Sequence, residues 1–185
     1  MELSEAFLKE HELIRRAILV LRGMIRDAEN GVLAEKHDVN ALLMFLHYFG
    51  DACHQAKEEK ILFPLLKQAQ ISPKVDSNIR QQLEHLLSEH HDDRLLIEKA
   101  QFDLFADSLS NFIFSAKKLA QMLSDHARKE EQMLFPIVEQ VISEQQAEEA
   151  LARIEQADAD FGCSQRSLLF DLLRELEAKY QQKAA

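Results

Sequence analysis

The windows His54-Gln55-Ala56-Lys57-Glu58-Glu59-Lys60-Ile61-Leu62-Phe63-Pro64 and His126-Ala127-Arg128-Lys129-Glu130-Glu131-Gln132-Met133-Leu134-Phe135-Pro136 share the same residue at seven of eleven positions. Upstream of each lies a Glu-His pair with Arg four residues after the histidine: Glu10-His11 with Arg15, and Glu89-His90 with Arg94. The chain therefore contains two copies of one helical hairpin, each reading His, then His-x-x-x-Glu-Glu. On a helix, residues four apart lie about 40° apart around the axis and one turn apart along it, so His54 projects with Glu58 and His126 with Glu130. Glu59 and Glu131 fall about 140° from those histidines, which places them at solvent or behind the inward residues.

Outward from the windows the pattern stays helical. Phe7, His11, Ile14, Ile18, Leu21 and Ile25 recur at spacings of three and four over residues 4–29, and Asn30-Gly31 supplies a stop. A second helix starts near Asp38 and runs through His54 toward Phe63, where Pro64 should kink or restart it, leaving 65–70 as a tail. Ser72-Pro73 breaks the chain, and a third helix spans about Asp76 to Ala106. Ser108 or Ser110 can cap a fourth, which reaches Phe135-Pro136 as the second reaches Phe63-Pro64. Beyond it, Ser143-Glu144-Gln145-Gln146 reads as a capping box opening a short helix to about Asp160. Phe161-Gly162 ends that helix, and a last amphipathic helix covers 164–182.

This gives a hairpin-repeat unit over residues 1–142 and accessory helices over 143–185 that contain no histidine. Four glycines, three prolines and no tryptophan in 185 residues agree with long helices, and the length is ample for a buried core. A net charge of −10 without a basic patch excludes nucleic acid and anionic lipid as partners, and no apolar run reaches the roughly 20 residues of a membrane span. Cys53 and Cys163 are too few for a disulfide framework, and the first residues carry no signal-peptide pattern, so a reducing cytoplasm is expected.

Four inward imidazoles and two inward carboxylates are costly to bury alone, and metal ions resolve that cost. Two divalent ions bridged by Glu58 and Glu130, with two of His11, His54, His90 and His126 on each, use all six side chains and leave open positions for a small ligand. Mixed histidine and carboxylate donors with open positions suit iron, although manganese or zinc can occupy the same atoms.

His11, His54-x-x-x-Glu58, His90 and His126-x-x-x-Glu130, each hairpin followed by Leu-Phe-Pro, resemble the hemerythrin-like (HHE) family over about residues 4–142. The resemblance implies an all-α, antiparallel, up-down-up-down four-helix bundle extended by one or two C-terminal helices. It also implies a carboxylate-bridged, non-heme di-iron centre open to O2, NO or H2O2. Oxygen-carrying hemerythrins place two histidines four apart on the third helix, whereas here Leu86 and Arg94 flank His90 at that spacing. The more open coordination favours reaction with peroxide or nitric oxide over reversible oxygen storage. The function implied is binding of, or oxidoreductase chemistry on, such a ligand in stress defence. The alternatives are an oxygen or iron sensing or storage protein, in which the helices after 143 relay occupancy, and a di-iron protein supporting iron-sulfur cluster repair. Repair proteins usually add a short N-terminal cysteine-containing region, and here the helix carrying His11 begins almost at once.

Among the remaining candidates, His47 shares a face with His54 but lies about 10 Å along the axis, which fits the core or the surroundings of the site rather than a ligand. Tyr48 is read as packing, His37, His85 and His91 as exposed, and both cysteines as buried inert thiols. Phe63-Pro64 and Phe135-Pro136 read as end-closing, kinking elements. Arg15 and Arg94 pair either with Glu10 and Glu89 or with the bridging carboxylates.

Overall fold

A computed structural model describes residues 2–69 and 73–180, and every regular element among them is helical. In order they are α1 (Leu3–Glu29), α2 (Lys36–Phe45), α3 (Phe63–Gln68), α4 (Pro73–Phe105), α5 (Leu109–Lys129), α6 (Phe135–Val141), α7 (Glu144–Phe161) and α8 (Cys163–Tyr180). Residues 36–68 form one continuous helical run from α2 to α3, and residues 109–141 another from α5 to α6. Ser72 lies outside the described residues, and α4 begins at Pro73 rather than near Asp76.

With α1 and α4 as the first and third rods in chain order, these runs are the second and fourth, and they contain the main departure from expectation. Leu46–Gln55, Glu58–Leu62 and Glu130–Leu134 are π-helical. Each short π turn lies directly ahead of a Phe-Pro pair, and the Phe63 and Phe135 amides donate to the carbonyls of Glu58 and Glu130, five residues back. Pro64 and Pro136 remove a donor, and the widened turn carries the helix past them without a break.

The stop signals fall where the sequence puts them. Gly31 takes φ +80° and Gly162 φ +100°, a region open to glycine at little cost. Ser143 caps α7 with a full capping box to Gln146. Ser108 occupies the cap position of α5, but its side chain makes no capping hydrogen bond.

Two apolar clusters fill the interior. One joins Ile18, Leu21, Phe45, Phe49, Ile97 and Leu119 with Leu173 and Tyr180 of α8; the other joins Phe7, Leu62, Phe63, Leu83 and Phe135 with Ile154 of α7. At about 1.5–3 kcal/mol per fully buried large side chain, these clusters dominate folding. The histidine and glutamate layer lies between them in the register of α1, α4 and the two long runs. α8 packs on α1 and α2, tied by Arg16 donating to Glu177 at 2.7 and 2.6 Å and by the Tyr180 hydroxyl donating to Asp38 at 2.6 Å. α7 packs on α1 and on the π-helical stretches of the second run.

Candidate metal centre

Each of the four rods contributes to one buried polar layer. α1 supplies His11, the second run His54 and Glu58, α4 His90, and the fourth run His126 and Glu130; all six are at most 3% exposed. Their ligand-type atoms form two groups that share both carboxylates, His11–His54–Glu58–Glu130 and Glu58–His90–His126–Glu130. Within each group the candidate atoms lie within 4.8 Å of one another.

The carboxylates span the two histidine pairs. Glu58 faces His54 Nε2 through Oε1 and His90 Nε2 through Oε2, both at 3.4 Å. Glu130 faces His126 Nε2 through Oε1 at 3.3 Å and His11 Nε2 through Oε2 at 3.2 Å. All four carboxylate oxygens, and His11 Nε2, are buried without a hydrogen-bond partner. Orphaned acceptors of this kind cost several kcal/mol each in an apolar interior, and a cation between them removes that cost.

The outer ring nitrogens are all engaged. His11 Nδ1 meets Glu131 at 2.8 Å, His54 Nδ1 meets Glu10 at 3.0 Å, His90 Nδ1 meets Glu59 at 2.8 Å and His126 Nδ1 meets Glu89 at 3.0 Å. A carboxylate at Nδ1 favours the tautomer with its proton there, which leaves the Nε2 lone pair pointing inward. Donor type, orientation and orphaned oxygens thus all fit a pair of metal ions.

Electrostatics show how tightly these groups are bound to one another. Burial opposes charge on His11, but its contacts with Glu130 and Glu131 outweigh that and raise its pKa to about 9. The same opposition of burial and carboxylate contact raises His126 well above its ordinary value and holds Glu130 well below its own. Burial also works against Glu10 and Glu89, yet bonds to a histidine and a lysine bring each to about 2.

Behind the histidines the duplication continues. Arg15 donates to Glu131, and Arg94 to Glu59 and Asp51, so the arginines hold the outer carboxylates of the His-x-x-x-Glu-Glu motif rather than either set anticipated from sequence. Lys57 donates to Glu10 and Lys129 to Glu89. Both lysines are identical in the two windows, which was the available signal for them. Phe135 stacks on the His11 ring at 5.5 Å and Phe63 on His90 at 5.7 Å, so the repeated Phe-Pro pairs wall the histidines as well as shape the helix.

One buried pair breaks the two-fold pattern. Gln55 Nε2 donates to Asp93 Oδ2 at 3.3 Å, leaving Gln55 Oε1 and Asp93 Oδ1 without partners. The corresponding positions in the other half are Ala127 and Ile14. Burial pushes the Asp93 carboxyl up to about 6. No motif marked either residue.

Other sequence candidates lie elsewhere. His37, His85 and His91 are exposed, as anticipated. His47 is not in the core: its side chain is 44% exposed and stands 3.7 Å from Asp51. Tyr48 is exposed and tilts against His47. Cys53 is buried, and burial pushes its thiol up to about 11, but Cys163 is exposed. Leu86 is core and Arg94 is ion-paired, so neither flanking position of His90 supplies another donor.

Among the described residues no helix is long and apolar enough to cross a membrane. No curated protein and no solved structure matches the chain. The family model of the hemerythrin HHE cation binding domain matches residues 2–138, which include all six residues of the buried layer, and the chain belongs to that family.

Proposed function

We propose that this protein is a non-heme di-iron protein that binds or reacts with O2, NO or H2O2 in stress defence. The reading takes residues 1–142 as an up-down-up-down four-helix bundle and 143–185 as accessory helices packed on it. His11 with His54 would hold one iron and His90 with His126 the other, with Glu58 and Glu130 shared between the two positions. The observation that carries the reading is that each buried carboxylate faces one histidine of each pair through separate oxygens, none of them hydrogen-bonded.

A bound iron pair supplies Lewis acidity and one-electron chemistry toward a small ligand. The chain does the rest. Glu131, Glu10, Glu59 and Glu89 fix the imidazoles with Nε2 inward, Arg15 and Arg94 fix two of those carboxylates, and Phe63 and Phe135 exclude bulk water from the rings. With two imidazoles and two carboxylate oxygens for each metal, positions remain for a ligand.

Anaerobically iron-loaded protein mixed separately with hydrogen peroxide and nitric oxide tests the reaction. The expected result is a change in visible absorption with at least one of them, absent in protein loaded with zinc. No spectral change and no turnover with either molecule, nor with O2 added in the same way, would remove this function.

A further inference from the structure

We infer that the C-terminal helices α7 and α8 make the two metal positions unequal: the ion at His11 and His54 is retained, and the ion at His90 and His126 is exchangeable. The inference rests on the two-ion reading above and concerns the chain's own outer contacts.

The duplication makes the two halves alike up to a point. Glu10 and Glu89 sit at the same distance, 3.0 Å, from Nδ1 of His54 and His126, and each is gripped by the lysine three residues after that histidine. The other two outer carboxylates are also matched, with Glu131 27% and Glu59 28% exposed and each paired with an arginine. Asymmetry enters behind Glu10.

There α7 brings Asp158 and α8 brings Arg166. Lys57 Nζ donates to Asp158 Oδ1 at 2.7 Å as well as to Glu10, Arg166 is paired with Asp158, and its guanidinium stands 3.7 Å from Glu10 Oε1. Two carboxylates and two cations thus close a neutral cluster in which the Lys57 side chain is only 3% exposed. The equivalent Lys129 is 36% exposed, and its other neighbour is His85, itself 62% exposed, at 3.3 Å. Among the described residues nothing from α7 or α8 joins Glu89.

For an ion to leave, an imidazole must swing away, and its outer carboxylate must let go. Releasing Glu10 strips a partner from Lys57, whose side chain is 3% exposed, whereas Lys129 is 36% exposed and solvent screens it when Glu89 lets go. Losing an outer partner of a metal-bound histidine costs about 10- to 100-fold in affinity. The same factor is the expected difference between the two halves.

The test uses full-length protein loaded with zinc and mixed with excess chelating dye, which reports release directly and needs no enzymatic turnover. Release is expected in two phases of equal amplitude, about 10-fold or more apart in rate. His126→Ala removes the fast phase. The paired change Asp158→Asn with Arg166→Gln, which alters charge symmetrically, speeds the slow phase about 10-fold and leaves the fast phase in place. If that variant fails to fold, Glu89→Gln and Glu10→Gln take its role, and each accelerates only its own phase. Two ions leaving in one phase, or acceleration of the wrong phase, overturns this inference alone. Fewer than two ions bound at the outset overturns the two-ion reading and this inference with it.

Discussion

Replacing Asp93 by Asn should stabilise the metal-free protein, and by an amount that depends on pH. Asp93 is 1% exposed, and burial lifts its carboxyl from 3.8 to about 6, against the opposing pull of His126 and His90. A carboxyl with a raised native pKa keeps its proton longer in the folded chain than in the unfolded one. The folded state therefore suffers no penalty below 3.8, loses stability as pH rises, and carries the full deficit above about 6. At 1.36 kcal/mol per pH unit the deficit is about 3 kcal/mol. Asparagine has the same shape, cannot ionise, and its amide can donate to Gln55 Oε1, which is otherwise without a partner. The variant should thus gain about 3 kcal/mol at about pH 8, or roughly 10 °C in Tm, and almost nothing at about pH 4. Urea unfolding of both metal-free proteins at the two pH values measures it. An equal gain at both, or none at the higher pH, would refute the assignment of the penalty to a buried charge.

Three further substitutions separate the parts of the structure. Glu131→Gln removes the charge that holds His11 Nδ1, so metal affinity in a chelator competition should fall about 10- to 100-fold, while the far-ultraviolet dichroism of the metal-free protein stays unchanged. An unchanged affinity would count against the orienting role. Gly31→Ala forces a side chain into φ +80° at the end of α1 and should cost about 1 kcal/mol in chemical denaturation, although no atom lies within 4 Å of the added carbon. Ser143→Ala removes the cap of α7 and should cost about 1 kcal/mol; a neutral result would mean that the Gln146 side chain alone suffices.

The inward residues were legible because their information is local. A spacing of four on a helix fixes a shared face wherever the helix later packs, and the second copy of the motif excluded coincidence. The family resemblance then implied that the helices carrying them gather in one bundle. What stayed hidden depended on contacts between elements. Arg15 on α1 finds Glu131 on the fourth run, more than a hundred residues away, and no spacing within α1 contains that partner. His47 is a different case: at α-helical rotation it would share the face of His54, but the π-helical Leu46–Gln55 turns less per residue, which swings it off that face. The exposure of Cys163 follows from its place at the start of α8, just after the turn at Gly162. Gln55 and Asp93 break the repeat rather than follow it, so a search for duplicated residues passes over them. Asp158 and Arg166 lie in the histidine-free segment and acquire meaning only when α7 and α8 fold back onto Glu10.

The most direct test of the account is the metal content and ultraviolet-visible spectrum of the protein as isolated, measured beside a variant carrying Glu58→Ala and Glu130→Ala. The account requires two irons per chain with absorption from oxygen-bridged iron, both lost in the variant. A chain that binds no metal even after anaerobic iron loading would contradict it, and would leave the four histidines and two glutamates as an architectural layer between two apolar clusters.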